Sequence, residues 1–367
     1  MTEYFYDQLQ QLGGTEPLTD RLRLEALVKP LLSWYRKNAR PLPWREEPSP
    51  YGVWISEIML QQTRVEAVKP YYERFMRELP GVKDLAAVPE ERLMKLWEGL
   101  GYYSRARNLK KAAQVVMEQY GGKLPGDFFL LLKLPGIGSY TAGAIASIAF
   151  GIPVPAVDGN VLRVLARLLA YREDIRKPSA KTEMEKLLLG VIPERDAGAF
   201  NQALIEVGAI VCLPGGEPRC AGCPLSSLCL TRERGLWREI PFRSPLKKRK
   251  IQELTVCLIF RGDEAAVRRR PETGLLAALY ELPNVPGRPN EEELLGQLNI
   301  LPGQVAEMAP LPESRHIFSH VEWHMAGYFI RLKDGAEVGK DCLFVERQRI
   351  RDEYALPAAF GAYSRLI

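Results

Sequence analysis

Two carboxylates and four thiols are the side chains of this sequence best suited to chemistry. Glu57 lies in Trp54-Ile-Ser-Glu-Ile-Met-Leu60, where helical spacing puts it on one face with Val53 and Leu60. A carboxylate on an apolar stripe is costly unless it is protonated or paired. Desolvation raises its pKa and makes it a general acid near neutrality. The plainer reading is a structural carboxylate paired with Arg64, two turns on, or with a lysine. Asp158, in Asp158-Gly-Asn160, stands directly before an apolar helical run. There the helix dipole and free N–H groups favour the ionised form, although Asp is also an ordinary N-cap. The pair predicts a split, with Glu57 pushed up as the acid and Asp158 held down as the anion.

Four of the six cysteines fall within eighteen residues: Cys212, Cys220, Cys223 and Cys229, spaced C-x7-C-x2-C-x5-C. Pro214, Pro218 and Pro224 with Gly215, Gly216 and Gly222 make the stretch a loop. In a reducing compartment such a cluster reads as a metal site rather than a disulfide framework. Four thiolates on one loop suit an iron–sulfur centre. Zinc stays open as the alternative, although it usually takes two Cys-x-x-Cys pairs and only one is present. Cys257 and Cys342 lie apart in apolar surroundings.

Three further stretches bear on binding. Leu134-Pro-Gly-Ile-Gly138 reads as a tight turn, with Gly136 and Gly138 at positive φ. The bare N–H groups of the next helix make a phosphate site. Gln61-Gln-Thr-Arg64 and Gly99-Leu-Gly-Tyr-Tyr-Ser-Arg105 put amides and aromatics at helix ends, suited to entering a base stack and touching phosphates. Against that, Tyr102 and Tyr103 also read as core aromatics. All three histidines, His316, His320 and His324, fall within nine residues. Their segment alternates like a strand, so they do not converge on a metal. A polar contact from a Phe318-Ser319-His320 loop is the better expectation.

The elements that must position these residues divide the chain in two. Apolar periodicity predicts a helix over 22–38, a break at Arg40-Pro-Leu-Pro-Trp-Arg45, then helices over about 51–64, 67–78, 90–97, 104–120, 126–133, 139–150, 159–170, 179–190 and 196–211. Residues 1–240 therefore read as an all-α domain, its first twenty residues weakly patterned and partly disordered. Residues 241–252, with Arg243, Lys247, Lys248, Arg249 and Lys250, read as a basic linker. Residues 253–367 read as a separate α/β domain. Its strands fall near 254–260, 265–268, 316–332 and 342–346, with a helix at 291–298 and another interrupted near Pro357. The net charge of +5 on 367 residues permits nucleic acid as a partner. No apolar run approaches a membrane span and the N-terminus lacks the pattern of a secretion signal. The expectation is a cytoplasmic protein, in a bacterium one around the nucleoid.

Leu134-Pro-Gly-Ile-Gly138 with the later Asp158 resembles the helix-hairpin-helix DNA glycosylases, and the cysteine loop resembles their iron–sulfur branch. Pro43-Trp-Arg45, Ser56-Glu-Ile-Met-Leu-Gln-Gln-Thr63 and Ala156-Val-Asp-Gly-Asn-Val161 narrow the resemblance to the MutY-type adenine DNA glycosylases. Gly274-Leu-Leu276, Glu281-Leu-Pro283 and Phe318-Ser-His320 fit that family's second domain, which is Nudix-like in layout. The resemblance covers about residues 25–360. It implies removal of adenine opposite 8-oxoguanine or guanine in duplex DNA, by a monomer. By that likeness Glu57 protonates adenine N7 and later handles the water, Asp158 stabilises the oxocarbenium-like sugar, and Tyr140 sits beside both. Arg40, Leu42, Trp44, Arg45 and Gln202 match the adenine pocket. Gln62, Thr63, Leu100, Tyr102, Gly136 and Gly138 match DNA-contacting positions, and Phe318, Ser319 and His320 match the loop that reads 8-oxoguanine. The four clustered cysteines match ligands of a 4Fe–4S cluster, and the hairpin is implied to hold a monovalent cation on backbone carbonyls.

Departures and rivals sharpen the expectation. Relatives that also cut the strand carry a lysine where Tyr140 stands; tyrosine forms no Schiff base, so base removal alone is expected. The first cysteine interval is seven residues where the family usually has six. Tyr280 replaces a usual tryptophan. The second domain lacks the glutamate-rich metal box of Nudix hydrolases, so it is expected to recognise and not to hydrolyse. The rivals are an endonuclease III-like glycosylase/lyase for oxidised pyrimidines and a non-catalytic damage sensor on the same scaffold.

Overall fold

The computed structural model describes residues 19–245, 248–339 and 341–367. The expectation for the first twenty residues, and Lys247 of the basic stretch, lie outside them, Thr19 and Asp20 apart. The described chain divides into two compact units. One runs to Ala86 and resumes over Lys111–Pro245; the other takes Ala87–Lys110 and the described chain beyond Pro245.

Helices build the first unit, close to where periodicity places them. Asp20–Asn38 is started by Thr19, whose Oγ1 accepts from Leu22 N, and buries Leu24, Leu27, Leu31 and Tyr35 along one stripe. The break at 40–45 is not wholly irregular: Pro43 opens a one-turn helix, Pro43–Glu46, because proline at the first position lacks only an N–H that would be unpaired anyway. Pro50 starts Pro50–Leu60 in the same way. Asp20–Asn38 shares one apolar core with Gly159–Leu168, Pro178–Leu189 and Ala197–Ile210, and the partly buried Cys212, Cys223 and Cys229 pack against that core. Ser139–Phe150 packs against both Pro50–Leu60 and Ala197–Ile210. At Gly143 an added Cβ would lie 2.1 Å from Pro155 O. Only glycine lets the chain leading to Asp158 run that close to the helix.

The second unit is built on a seven-stranded mixed sheet. Its strands are β1 Lys250–Arg261, β2 Glu264–Arg269, β3 Tyr280–Glu281, β4 Asn284–Pro286, β5 Val305–Ile317, β6 Val321–Leu332 and β7 Cys342–Glu346. The order is β3-β2-β1-β6-β5, with β4 also on β1 and β7 also on β2. β1 and β6 are parallel, in register at Val256↔Gly327, and the other pairs are antiparallel. Along β1 the side chains alternate between two buried cores, Val256, Leu258 and Phe260 on one face and Cys257 and Ile259 on the other. Cys257 is thus a core residue of a sheet covered on both sides.

β1 begins at Lys250, within the stretch read as linker. A helix at Arg347–Glu353 was not expected from the pattern. The helix expected after Tyr354 is instead two short turns beyond Pro357, 358–360 and Gly361–Ser364, since proline disfavours helical backbone in the residue before it. Glu90–Trp97 counts with this unit through its end: Glu98 accepts from Leu356 N at 2.7 Å and Lys95 Nζ donates to Tyr354 O at 3.1 Å. Arg107 Nη2 adds a bond to Ala277 O at 2.6 Å.

Candidate active site and cysteine loop

Glu57 is delivered by a helix that is buried all round, from Tyr51 to Met59. Such a helix runs through a core rather than along a surface, and it leaves Glu57 6% exposed. Its partner is Tyr140, whose hydroxyl donates to Glu57 Oε2 at 2.6 Å. Arg64 is elsewhere, exposed at the N-cap of Val65–Glu78. Burial pushes the Glu57 carboxyl up to about 7, helped by the charge of Asp158 and opposed by the Tyr140 hydrogen bond and by Arg45. The Tyr140 phenol is held well above its ordinary value by desolvation and by the charges of Glu57 and Asp158. It therefore remains a neutral donor.

Tyr140 is the second residue of Ser139–Phe150, so the hairpin sets its place. Gly136 is in the left-handed region at φ +77°. Gly138 is not, contrary to expectation: at φ −96° and ψ 179° its backbone is extended. Its use is the missing side chain, because a Cβ there would meet nothing within 4 Å and no side chain caps the helix. The space beside Gly138 is open and the start of the helix carries no side-chain cap. Lys181 stands beside Ser139, its Nζ 2.8 Å from Ser139 Oγ, which in turn donates to Glu185.

Asp158 caps Gly159–Leu168. Its Oδ1 accepts from Asn160 N and Val161 N at 2.8 Å each, and its Oδ2 from Asn160 Nδ2 at 2.7 Å. The expected depression of its pKa is corrected here. Burial raises Asp158 and outweighs the two backbone N–H groups, the Asn160 amide and Arg163, all of which lower it. The cap orients the carboxylate without making it a strong acid. Asn201, fully buried, braces the approach: its Oδ1 accepts from Ala156 N, and its Nδ2 donates to Val154 O and Ser147 Oγ.

The Arg40–Arg45 group is organised by a residue the sequence reading missed. Glu206 is buried on Ala197–Ile210 and accepts from Arg40 N and Nε at 3.1 and 2.6 Å and from Arg45 Nη2 at 2.8 Å. Burial alone would raise Glu206, but the two guanidinium groups hold it below its ordinary value. Leu42 and Trp44 are buried between those arginines in sequence, Trp44 edge-on to Tyr72 at 5.3 Å. Gln202 lies beside Asn201 on the same helix, half-buried. A second missed pair is Arg163 and Arg167, buried on an otherwise apolar helix face. Arg163 Nη2 donates to Asn160 Oδ1 at 2.9 Å and its Nε to Cys212 O at 2.7 Å. It thereby ties the Asp158 cap to the cysteine loop. Two arginines four residues apart in an apolar run were the available signal.

Cys212, Cys220, Cys223 and Cys229 ring one cavity of about 270 Å³, with Val164, Leu168 and Val207 in its wall. Among the described residues no three His, Cys, Asp or Glu side chains gather tightly enough for a single metal ion. The thiols stand around a space instead. Burial pushes Cys223 up to about 12 and raises Cys220 and Cys229, while backbone N–H groups of Leu225, Thr231 and Arg232 reach Cys223 and Cys229 and pull the other way. Arg167 Nη1 donates to Cys212 Sγ at 3.3 Å. Donors of this kind suit thiolate sulfur.

In the second unit a cavity of about 650 Å³ is lined by 99–104, Arg107, 274–277, 316–320 and 357–359. It brings Leu100 and Tyr102 together with Phe318, Ser319 and His320. Tyr102 is 46% exposed and left-handed at φ +48°, whereas Tyr103 is core. Arg105 holds that loop, its guanidinium near the Trp97 and Tyr102 rings and bonded to Leu100 O and Gly101 O. Phe318 packs between the His316 and Trp323 rings at 4.6 and 4.8 Å, and leaves Ser319 and His320 exposed at the β5–β6 turn. In the first unit Gln62 is exposed and also left-handed, at φ +57°, beside Thr63. Non-glycine residues in this conformation carry strain that clusters at functional sites.

Residues 55–192 match the HhH-GPD superfamily of base excision DNA repair proteins, and 255–365 match a NUDIX domain. The chain is 36% identical over 360 residues to adenine DNA glycosylase of Mus musculus, spanning 82% of this chain and 70% of that protein. It is 33% identical to adenine DNA glycosylase of Buchnera aphidicola subsp. Acyrthosiphon pisum, spanning 85% and 88%. Two solved structures share the helical fold over little more than half the chain. A thermostable thymine-DNA glycosylase is 30% identical with TM-score 0.52, over 58% of this chain and 97% of its own. Endonuclease III in a non-covalent DNA complex is 28% identical with TM-score 0.51, over 60% and 99%. The adenine glycosylases extend well beyond that shared part.

Proposed function

The chain belongs to the adenine DNA glycosylases of base excision repair, and from that premise we propose that it removes adenine paired with 8-oxoguanine, or with guanine, through Glu57 and Asp158. The observation that carries this reading is the buried Glu57 carboxyl, raised to about 7, bonded to Tyr140 and close enough to Asp158 to feel its charge. Glu57 delivers its proton to adenine N7. The C1′–N9 bond then breaks with its electron pair leaving on the base, and the sugar cation that develops faces the Asp158 carboxylate. Water adds at C1′ and its proton passes to the Glu57 carboxylate. Tyr140 has no amine, so the product is an abasic site and the strand stays whole.

Arg40, Leu42, Trp44, Arg45 and Gln202 form the adenine pocket in this reading, and the adenine leaves the stack to reach it. Gln62, Thr63, Leu100, Tyr102, Gly136 and Gly138 contact the duplex. Phe318, Ser319 and His320 read the 8-oxoguanine; the large cavity they share with Tyr102 supports that role. Cys212, Cys220, Cys223 and Cys229 hold a 4Fe–4S cluster, which suits four thiols set around a space better than a single zinc does. When bound, the cluster fixes the shape of the loop that Arg163 ties to the Asp158 cap. The protein acts as a monomer, in a bacterium at the cytoplasmic nucleoid; among the described residues no helix is long and apolar enough to cross a membrane.

One duplex assay tests the chemistry. With adenine opposite 8-oxoguanine, incubation followed by alkali cuts the strand at the adenine, and omission of alkali leaves it intact. Absence of adenine release, or full cutting without alkali, overturns the reading. Iron and acid-labile sulfide in the purified protein, with absorption in the visible, test the cluster; a colourless zinc protein rules it out.

A further inference from the structure

The cysteine cavity carries one polar group that the protein leaves without a partner. Thr231 stands two residues after Cys229, is 1% exposed, and lines the cavity together with all four cysteines. Its Oγ1 is buried and makes no hydrogen bond. A valine would fill the same volume with no polar atom to satisfy, so the hydroxyl is costly unless an acceptor occupies the cavity. The surroundings say what kind of acceptor. The backbone N–H groups of Thr231 and Arg232 already reach Cys229 Sγ, and Arg167 donates to Cys212 Sγ. Donors directed at sulfur call for negatively charged sulfur.

Building on the iron–sulfur reading above, we infer that the Thr231 hydroxyl donates a hydrogen bond to a sulfur of the bound cluster, either a bridging sulfide or a cysteine thiolate. A hydrogen bond there withdraws electron density and stabilises the reduced member of whichever couple the cluster uses. Hydrogen bonds to sulfur are among the terms that set the potential of such centres. Thr231 thus tunes the cluster and does not ligate it.

The test uses the full-length protein purified with its cluster, with Thr231→Val and Thr231→Ser alongside. Film voltammetry reads the reduction potential, and resonance Raman spectra in H₂O and D₂O read the Fe–S stretches. Thr231→Val is expected to shift the potential downward and to lose part of the deuterium sensitivity of the stretches. Thr231→Ser keeps both near wild type. A Thr231→Val protein with full iron and sulfide, and with potential and spectra unchanged, overturns the inference and leaves the cluster reading standing. If Thr231→Val does not fold, Thr231→Ala takes its place with the same two readouts and the same overturning result. A wild-type protein without iron or sulfide removes the premise itself.

Discussion

Tyr140 Oη and Glu57 Oε2 lie 2.6 Å apart, with Glu57 buried and Tyr140 half-buried, so the phenol and the carboxyl titrate as neighbours. Tyr140 is one of the two groups that pull Glu57 down, the other being Arg45; burial and Asp158 push it up. Tyr140→Phe removes a hydrogen bond to the ionised form and raises Glu57 above about 7. On the proposed mechanism the acid must be protonated to act, so the wild-type rate is expected to fall as pH rises through about 7. In Tyr140→Phe that alkaline limb moves to higher pH. Single-turnover adenine release across a pH series measures it, and a limb that stays in place shows that the contact does not govern the acid.

The same shift has a sign for stability. Glu57 is raised on folding, from 4.5 to about 7. Its contribution is fully present below 4.5 and is lost as pH rises through about 7. That loss amounts to roughly 3 kcal/mol, taking about 1.36 kcal/mol per pKa unit. Glutamine in its place ionises at no pH and can still accept from Tyr140. On the proposed mechanism Glu57→Gln should therefore be inactive, yet gain stability over wild type as pH rises from 4.5 to about 7, with the gap level above that. Denaturant unfolding at a series of pH values reads the widening gap; a constant gap contradicts the raised carboxyl.

What the sequence showed of this site was local, and what it hid was long-range. Glu57 on its apolar stripe, Asp158 before its helix and the cysteine loop are each visible within a few residues, because period and turn chemistry are local. The direction for Asp158 failed because an N-cap is visible in the sequence and the depth of its burial is not. Glu206 and Asn201 were missed because they serve residues between 45 and 166 positions away. Nothing around them distinguishes a helix glutamate or asparagine that faces solvent from one that faces arginines. Gly138 and Gly143 show the same limit: Gly138 reads as a turn glycine and supplies empty space, while nothing local to Gly143 signals the close backbone approach that it supplies.

Glu206 offers the direct test of a residue found only by structure. It has no exposed surface and it neutralises two arginines at once. Removing one member of a buried charge cluster typically costs about 3–5 kcal/mol, since the remaining charges stay desolvated. Glu206→Gln is expected to lose stability of that order and to slow adenine release, with duplex binding less affected, because Arg40 and Arg45 no longer hold one geometry. Thermal unfolding and single-turnover release on one preparation measure both effects. Full stability with unchanged release shows that the arginines are positioned by other contacts.

On the proposed function, the turn between β5 and β6 separates recognition from chemistry. Ser319 and His320 are exposed, and their one mutual contact, Ser319 Oγ to His320 Nδ1 at 3.2 Å, holds nothing else in place. Their replacement by alanine therefore changes stability by about 0.5 kcal/mol or less. Phe318→Ala, by contrast, empties the space between the His316 and Trp323 rings and destabilises the sheet domain. In the double alanine variant, adenine opposite undamaged guanine should be released at the wild-type rate, because Glu57 and Asp158 belong to the other unit. Preference for 8-oxoguanine over guanine should fall about tenfold, since a lost base contact costs about 1–3 kcal/mol. Paired rate measurements on the two duplexes give the ratio. A preference that survives intact assigns 8-oxoguanine reading to some other surface, while an equal loss on both duplexes makes the turn a general DNA contact.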